Sequence, residues 1–297
     1  MKEINVIIPL GQNREFDASE SIKKHKEIDF IVERGPNPSK NRNQGIKKAK
    51  SKFVGFINGH TVLSNNWTKE VKKFFKKYPK IDVVGGPQLN YEKDVFFARI
   101  SSYALGSKFG SAAVSQRYSG SKIKFDADES DITSSNLVCR KHVFKKVKFD
   151  ENFYPAEDPK FISDAKKAGF KVAFSPHIKV SNRKRSTLFG LSKQIFNYGK
   201  MRPRKEGLFE TIKKPYFLVP SLFVLYLVLL PLFLSISSLF WIPPALYLIL
   251  NLIFSIYEGG KNKSLLGIVL LPLIFLSIHI SYGLGFIYGF LRERVFK

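Results

Sequence analysis

The sequence predicts an α/β domain with a Rossmann-like, mainly parallel sheet, followed by C-terminal helices that cross a membrane. Two observations predict this fold class. Residues 1–185 alternate short apolar strands with helices, and strands separated by helices pair in parallel with helices on both faces. From Tyr216 to Tyr257, and again from Ser264 to Leu291, the chain carries no Asp, Glu, Lys or Arg. Segments of this length without charge are rare outside membranes.

The pattern of the first 185 residues assigns each element in turn. Predicted helices run from a cap at Ser39 to Lys50, through "NWTKEVKKFFKKY", and from about Asp158 to Lys167. The predicted strands are "INVIIP", "DFIVE", "FVGFI", "IDVVGG", "SSNLVCR" and "KVAFS". Ligands bind at the carboxyl ends of parallel strands. We therefore expect one crevice surrounded by the loops after Pro9, Glu33, Ile57 and Gly86.

The apolar C-terminal runs predict about three membrane helices, because about 20 apolar residues span a bilayer. They are expected near 216–235, 240–257 and 265–290, and they form a membrane domain, 206–297, behind a first domain, 1–205. These runs predict an integral membrane protein. The flank "RPRKEGLFETIKK" is strongly basic, which predicts that the first domain lies on the cytoplasmic face. Three passes would place "RERVFK" on the opposite side, against the same rule, so a re-entrant run is the alternative.

The charge balance indicates an anionic partner. The chain has 49 Lys and Arg against 24 Asp and Glu, a net charge of +25, and residues 1–214 hold 44 of these bases and 22 of the acids. Such a surface suits a phosphorylated small molecule, an anionic membrane face or nucleic acid, although a solvated lysine-rich surface has the same composition. Nucleic acid is disfavoured, because the lysines form no compact motif and a membrane anchor does not suit it.

The order of several segments resembles that of family 2 glycosyltransferases. The segments are "INVIIP", "FIVE…NPSKNRNQGIKKAKSKFVGFING", "SSNLVCRKHVFKKVKFDENFYPAEDPKFISDAKKAGFKVAF" and "SKQIFNYGKMRP". The resemblance covers roughly residues 3–205. Within the family, the chain is most similar to the membrane-anchored enzymes of exopolysaccharide and lipid-linked glycan assembly. The resemblance implies a GT-A fold, a nucleotide-sugar donor and inversion at the anomeric carbon.

The acidic pair Glu157-Asp158 stands where the family carries its acceptor motif. An inverting transfer needs a base that takes the proton of the attacking acceptor hydroxyl. By resemblance Asp158 is this base, and Glu157 orients it or helps to bind the acceptor. Asp158 can also be a plain helix N-cap, with Pro159 at the first helical position, and the two roles are compatible.

The resemblance also implies a set of donor-binding residues. Glu33 can accept a hydrogen bond from the ribose or the base, Arg42 can reach phosphate, and Gln194 and Arg202 can touch the diphosphate or the acceptor. Alternatively, Arg42 lies on an ordinary helix surface, and the helix of about 187–200 is purely an amphipathic interfacial one. The full predicted set is Pro9, Glu33, Arg42, Asn58, Gln194 and Arg202.

The strand end "INGH" lacks the two acids of the family's Asp-x-Asp metal motif. Asn58 and His60 stand in their places. Asn keeps hydrogen bonds to hydroxyls without charge. Neutral imidazole can bind Mn²⁺, whereas Mg²⁺ prefers oxygen, so a metal at His60 is expected to be Mn²⁺ rather than Mg²⁺. The alternative is a metal-independent enzyme whose diphosphate is held by basic residues, namely Arg183, Lys184, Arg185 or Arg202.

Two hypotheses for function follow. The first is a membrane-bound inverting glycosyltransferase, which contacts membrane lipid and moves a sugar from a nucleoside-diphosphate donor to a lipid-linked or membrane-proximal glycan. The second is a catalytically degenerate relative that binds partners in glycan assembly. The substituted "NGH" motivates the second hypothesis, and the retained Glu157-Asp158 pair favours the first.

Overall fold

The computed structural model describes residues 2–14, 19–153, 156–205 and 211–294. The chain divides into two compact units. The first comprises Met1–Lys93 and Val114–Arg183, and the second comprises Asp94–Ala113 and Lys184–Lys297. This division does not follow the predicted boundary at residue 205, because the segments 94–113 and 184–205 pack with the C-terminal helices.

The described residues of the first unit form nine strands. They are β1 (Ile4–Leu10), β2 (Ile28–Arg34), β3 (Phe53–Phe56), β4 (Thr61–Leu63), β5 (Val83–Gly85), β6 (Gln88–Asn90), β7 (Leu137–Arg140), β8 (Val172–Phe174) and β9 (Val180–Asn182). Six of them form the central sheet in the order β2-β1-β3-β7-β5-β8. All pairs in this sheet are parallel except those of β7, which runs antiparallel to β3 and β5. The six predicted strands and the mainly parallel sheet are confirmed.

Eleven α-helices are described, several of them one turn long. They are α1 (Ser19–Lys24), α2 (Pro38–Lys48), α3 (Trp67–Lys77), α4 (Phe96–Gly106), α5 (Lys108–Ser111), α6 (Gln116–Ser119), α7 (Glu157–Lys167), α8 (Leu188–Lys205), α9 (Val219–Leu234), α10 (Ile242–Lys261) and α11 (Leu265–Arg294). The predicted cap of α2 is wrong. Asn37 caps this helix by accepting a 3.1 Å hydrogen bond from the Lys40 N–H, and the expected cap, Ser39, is buried inside the first turn.

Two hydrophobic cores lie on opposite faces of the central sheet. Successive side chains of a strand point to opposite faces, and β1 divides accordingly. Val6 and Ile8 join the core that contains Trp67 of α3, and Ile7 joins the core that contains Phe161 of α7. Because both faces are covered, open surface for a ligand remains at the strand ends, as the sequence predicts.

A second, three-stranded sheet extends from the end of β3. Its order is β4-β9-β6, with β4 antiparallel and β6 parallel to β9. The chain enters it by a tight turn in which the Thr61 N–H donates to the Asn58 carbonyl at 3.0 Å. Close packing fixes the connection before β6: a Cβ on Gly86 would lie 1.9 Å from the Ile178 carbonyl oxygen. This sheet was not predicted.

The second unit contains the apolar helices. Within the described part of the chain, two helices are long and apolar enough to cross a membrane, by length and composition alone: Ser238–Lys261 and Leu265–Glu293. The first predicted span forms α9, which is apolar but has 16 residues. Large apolar side chains along these helices are exposed, including Leu246, Ile253 and Leu265. Such a surface is typical of a protein face that contacts lipid.

Glycines bring α8 into close contact with α11. A Cβ on Gly285 would lie 2.1 Å from the Phe196 carbonyl oxygen, and one on Gly289 would lie 2.1 Å from the Lys200 carbonyl oxygen. Small residues at such positions let two helix backbones approach closely, as they do between membrane helices. The helix predicted over 187–200 extends to Lys205. Its close contact with α11 shows that it packs against the last apolar helix.

Candidate active site

The acidic pair begins α7 in the first unit. Asp158 accepts two hydrogen bonds from Ser134, one from the hydroxyl at 2.6 Å and one from the backbone N–H at 3.3 Å. The N-cap position is occupied by Ala156, which has a left-handed backbone with a φ of 102°. The interpretation of Asp158 as the helix cap is therefore wrong, because its carboxylate is engaged by a different loop.

Arg42 of α2 lies against both acids. Its Nη1 donates to Glu157 Oε1 at 2.8 Å, and its Nη2 lies 3.6 Å from Asp158 Oδ1. The guanidinium also stacks 5.1 Å from the centroid of the Phe149 ring. Only 3% of Arg42 is exposed, which leaves little surface for the predicted phosphate contact. The geometry instead assigns it to the acidic pair.

The two carboxyl groups differ in their surroundings. The side chain of Asp158 is 19% exposed, whereas that of Glu157 is buried. Burial raises the pKa of Glu157, and the adjacent Asp158 raises it further, while Arg42 opposes both effects. Neighbouring acids in unlike environments can take different roles in proton transfer. Of the two acids, Asp158 is the more accessible to solvent.

A hydroxyl-rich segment, residues 133–136, connects the acid to the end of β3. Ser134 binds Asp158, and the next residue, Ser135, accepts a 2.7 Å hydrogen bond from the Asn58 side-chain amide. From sequence this segment was predicted only as the start of a strand. The signal that was available is the run Thr-Ser-Ser-Asn directly before an apolar strand, at a sheet edge where ligands are expected.

The same segment is fixed to the core through Asn136. Its side-chain oxygen accepts from the Trp67 indole N–H at 3.1 Å, and its amide donates to the Ile178 carbonyl at 2.6 Å. Trp67 is fully buried. Because a buried, satisfied polar network is rigid, the position of Ser134 and Ser135 is well defined.

The predicted donor side lies at the ends of β1 and β2. Pro9 stands opposite Glu33 in the parallel register, and Lys48 Nζ is 2.7 Å from Glu33 Oε1. The Asn41 amide ties the two strand ends together by donating to the carbonyls of Leu10 at 3.0 Å and Gly35 at 3.1 Å. The roles of Pro9 and Glu33 in donor binding stay predictions. Asn41 was missed because its partners are not sequence neighbours.

His60 lies in the turn between β3 and β4, beyond Asn58. Thr61 and Asn182, on the adjoining strands, add a hydroxyl and an amide whose oxygens lie 3.4 Å apart. Among the described residues no group of three or more His, Cys, Asp or Glu side chains is arranged to hold a metal ion. A divalent ion could therefore take one nitrogen from His60, and the phosphate oxygens of a bound donor would have to supply further ligands.

The basic residues after β9, the alternative ligands for a diphosphate, have protein partners. In the first unit the Arg183 guanidinium lies 5.0 Å from the Tyr91 ring centroid. In the second unit burial lowers the pKa of Lys184 to about 8, against the opposing effect of a nearby acid. Arg185 donates to the Gln194 side-chain oxygen at 3.0 Å. A diphosphate would have to compete with these contacts.

Gln194 and Arg202 both lie on α8 in the second unit. Gln194 donates to the Tyr198 hydroxyl at 2.7 Å. Arg202 is buried, with its guanidinium 3.6 Å from the centroid of the Phe217 ring. Both side chains are thus engaged within their own unit, and their contacts with a donor stay predictions.

Comparison with known proteins finds one matching family model and one similar curated protein. The family model described as "Glycosyltransferase like family 2" matches residues 16–197. The Bacillus subtilis (strain 168) protein "Minor teichoic acid biosynthesis protein GgaB" is 26% identical over 199 residues, which are 63% of this chain and 20% of that protein. The match thus spans about a fifth of the relative's length.

Similar solved structures include S. aureus TarS. The structure of TarS 1-349 aligns with a TM-score of 0.45 and 12% identity, covering 98% of this chain and 91% of that one. Another TarS structure aligns with a TM-score of 0.43 and 13% identity, covering 67% of this chain and 40% of that one. A197 from STIV gives a TM-score of 0.39 and 11% identity, covering 61% and 86%.

Proposed function

This chain belongs to the glycosyltransferase-like family 2, and we propose that it transfers a sugar with inversion from a nucleoside-diphosphate donor to a membrane-proximal glycan. In this reaction the acceptor hydroxyl attacks the anomeric carbon. The bond from that carbon to the diphosphate breaks, and the hydroxyl proton passes to a base on the enzyme. The transfer itself is the family's activity, and inversion and the acceptor are parts of the proposal.

The observation that carries the proposal is the placement of Asp158. It is a partly exposed carboxylate at the start of a helix, oriented by two hydrogen bonds from Ser134. A base must be accessible to the acceptor and held in one orientation, because proton transfer needs hydrogen-bond geometry. Glu157 is buried and paired with Arg42, so we assign it a positioning role and assign proton transfer to Asp158.

The strand end of β3 forms the sugar side of the proposed site. Asn58 bonds to Ser135 in the same segment that binds Asp158. Its neutral amide suits contacts with sugar or ribose hydroxyls. We propose that His60 supplies one ligand to a Mn²⁺ ion that arrives with the donor, where the ion would neutralise the charge of the leaving diphosphate.

The proposed acceptor is a lipid-linked or membrane-proximal glycan of the teichoic acid type. Two features support it. The curated relative is named for teichoic acid biosynthesis, and two helices of the second unit are long and apolar enough to cross a membrane. The basic flank before α9 supports a cytoplasmic first unit.

The test uses the full chain purified in neutral detergent. UDP-, GDP- and dTDP-sugars are screened for a rise in the unfolding midpoint, with and without Mn²⁺, because a ligand that binds only the folded state stabilises it. The stabilising donor is then incubated with membrane glycan extract, and sugar transfer is measured. We expect one nucleotide to stabilise the protein and to be turned over. Donor binding without transfer or hydrolysis would favour the degenerate, partner-binding alternative.

A further inference from the structure

The second unit contains a small cavity whose lining includes none of the residues assigned above to sugar transfer. It lies between α4 and the turn that joins α10 to α11, and its volume is 180 Å³. Two apolar side chains of α4 form part of its wall. The polar lining consists of Arg99, Tyr103, Asn262, Lys263 and Ser264.

The lining has the composition of an anion site. Arg99 and Lys263 supply two positive charges, and the other polar residues supply amide and hydroxyl donors. No carboxylate occurs among the described residues that line the cavity. Arg and Lys form their strongest hydrogen bonds with carboxylate or phosphate oxygens, so the cavity suits a phosphate group.

The turn that carries Lys263 has an unusual backbone. Lys263 has a φ of 51°, its N–H donates to the Gly260 carbonyl at 3.0 Å, and the N–H of Ser264 donates to the Gly259 carbonyl at 2.9 Å. Helices commonly end in this pair of bonds, and the left-handed residue is then usually glycine. Lysine is strained in this conformation. At this position lysine adds a positive charge to the cavity lining, which glycine would not.

The location of the cavity favours the phosphate of a lipid over a soluble phosphate. The turn joins the two helices that are candidates to cross a membrane, and such a turn lies at the membrane surface. Directly after it, α11 exposes 82% of Leu265, 59% of Leu266 and 69% of Val269. A phospholipid can place its phosphate in the cavity and its acyl chains along these side chains. A soluble phosphate would leave this apolar surface unused.

We propose that this cavity binds the phosphate group of an anionic membrane lipid. The cavity lies wholly in the second unit, and the proposal is independent of the sugar transfer. Lysine-rich proteins also attract anionic lipids without any site, through diffuse charge, so the test must separate a built site from general attraction.

The same turn provides a matched control. Lys261 lies two residues before Lys263 and is not part of the cavity lining. Its ammonium is 3.7 Å from the buried Glu258 carboxylate. Lys261→Gln therefore removes the same charge from the same turn without changing the proposed site.

The experiment measures the unfolding midpoint of the full chain in neutral detergent against rising concentrations of dioctanoyl phosphatidic acid. Dioctanoyl phosphatidylcholine and glycerol phosphate serve as the comparison ligands. We expect saturable stabilisation by phosphatidic acid. Arg99→Gln and Lys263→Gly should each raise the half-saturating concentration by about tenfold, the effect of losing one charge-assisted contact. Lys263→Gly should also raise the unfolding midpoint measured without lipid, because glycine relieves the backbone strain. A raised midpoint would confirm that this variant folds.

Three results would overturn the proposal. Equal weakening by Lys261→Gln and Lys263→Gly would mean diffuse attraction without a site. Equal stabilisation by phosphatidylcholine would mean that only the apolar surface binds. Equal stabilisation by glycerol phosphate would mean that the site serves a soluble phosphate and that the lipid assignment is wrong.

Discussion

The Ser134 hydroxyl donates a 2.6 Å hydrogen bond to the carboxylate of Asp158, 24 residues further along the chain. The neighbouring Ser135 accepts from the Asn58 amide at the end of β3. One short segment therefore fixes both the proposed base and the proposed sugar contact, which are separate motifs in the sequence. Variants of single side chains can therefore test the proposed base and the residues that position it.

Asp158→Asn should reduce kcat by a factor of about 10² to 10⁴, the usual contribution of a general base. Asparagine keeps the size and can still accept from Ser134, but it cannot take a proton. Donor affinity should change little, because the substituted group faces the acceptor hydroxyl. Steady-state transfer rates and donor titration measure the two effects. Asp164→Asn, which alters a surface pair with Lys160 on the same helix, is the control, and normal turnover by Asp158→Asn would refute the assignment.

Ser134→Ala should lower kcat about tenfold and leave the donor KM nearly unchanged. The alanine variant loses one charge-assisted hydrogen bond, worth about 1.5 kcal/mol or more, that orients Asp158. Ser134→Thr keeps a hydroxyl and should recover most of the rate, which a loss of folding alone would not explain. Identical kcat values for all three proteins would contradict a positioning role.

Arg42→Met should destabilise the first unit by about 3 kcal/mol, because it leaves a buried carboxylate without its partner. The change can be followed by the fluorescence of the buried Trp67 during denaturant unfolding. The double variant Arg42→Met/Glu157→Gln should recover part of this loss, since it also removes the unpaired charge. Lys72→Met breaks an ion pair with Glu3 in which the two side chains are 42% and 57% exposed, and it should change stability by less than about 1 kcal/mol. Equal losses in the two single variants would contradict the importance of burial.

The raised pKa of Glu157 predicts a pH dependence of stability. Burial is its largest cause, and the folded protein then holds the proton to a higher pH than the unfolded chain does. The free energy of unfolding should therefore fall as pH rises from about 4.3, the ordinary glutamate value, through the raised value. Glu157→Gln keeps an acceptor for Arg42 and does not titrate, so it should become relatively more stable across this window. Unfolding midpoints of both proteins between pH 4 and 7 measure the difference, and parallel curves would contradict it.

The central sheet could be predicted because its strands are apolar and are separated by polar helices. The antiparallel direction of β7 could not, since a short buried strand such as "LVCR" has the same composition in either direction. Strands β5 and β8 have only three residues each but are wholly apolar, whereas the equally short β4, β6 and β9 each contain a polar residue and show no strand pattern. Their existence depends on pairing between segments far apart in sequence.

The candidate site was predicted in part. Glu157 and Asp158 carry a local motif, and a motif can be read without the fold. The partner of Arg42 lies 115 residues away, and nothing in the polar helix "PSKNRNQG" distinguishes a buried arginine from an exposed one. The predicted boundary at residue 205 differs from the observed units because α4 and α8 pack with the last helices. These contacts also join residues far apart in sequence, so the local pattern does not show them.

The metal prediction rests on His60. If it supplies a nitrogen ligand beside the donor phosphates, transfer should need Mn²⁺, and His60→Ala should weaken both the metal response and donor binding. His60→Asp should retain activity and shift the preference towards Mg²⁺, a harder ion that favours carboxylate. Transfer rates and donor titrations with each ion, and with excess EDTA, measure these effects, and Lys72→Met, which alters only the surface pair with Glu3, is a control outside the proposed site. The metal-independent alternative predicts full turnover in EDTA and indifference to His60→Ala. Because His60 would be one ligand among phosphate oxygens, Mn²⁺ should bind tightly only when the donor diphosphate is present, and tight binding to the free protein would require ligands other than those at this turn.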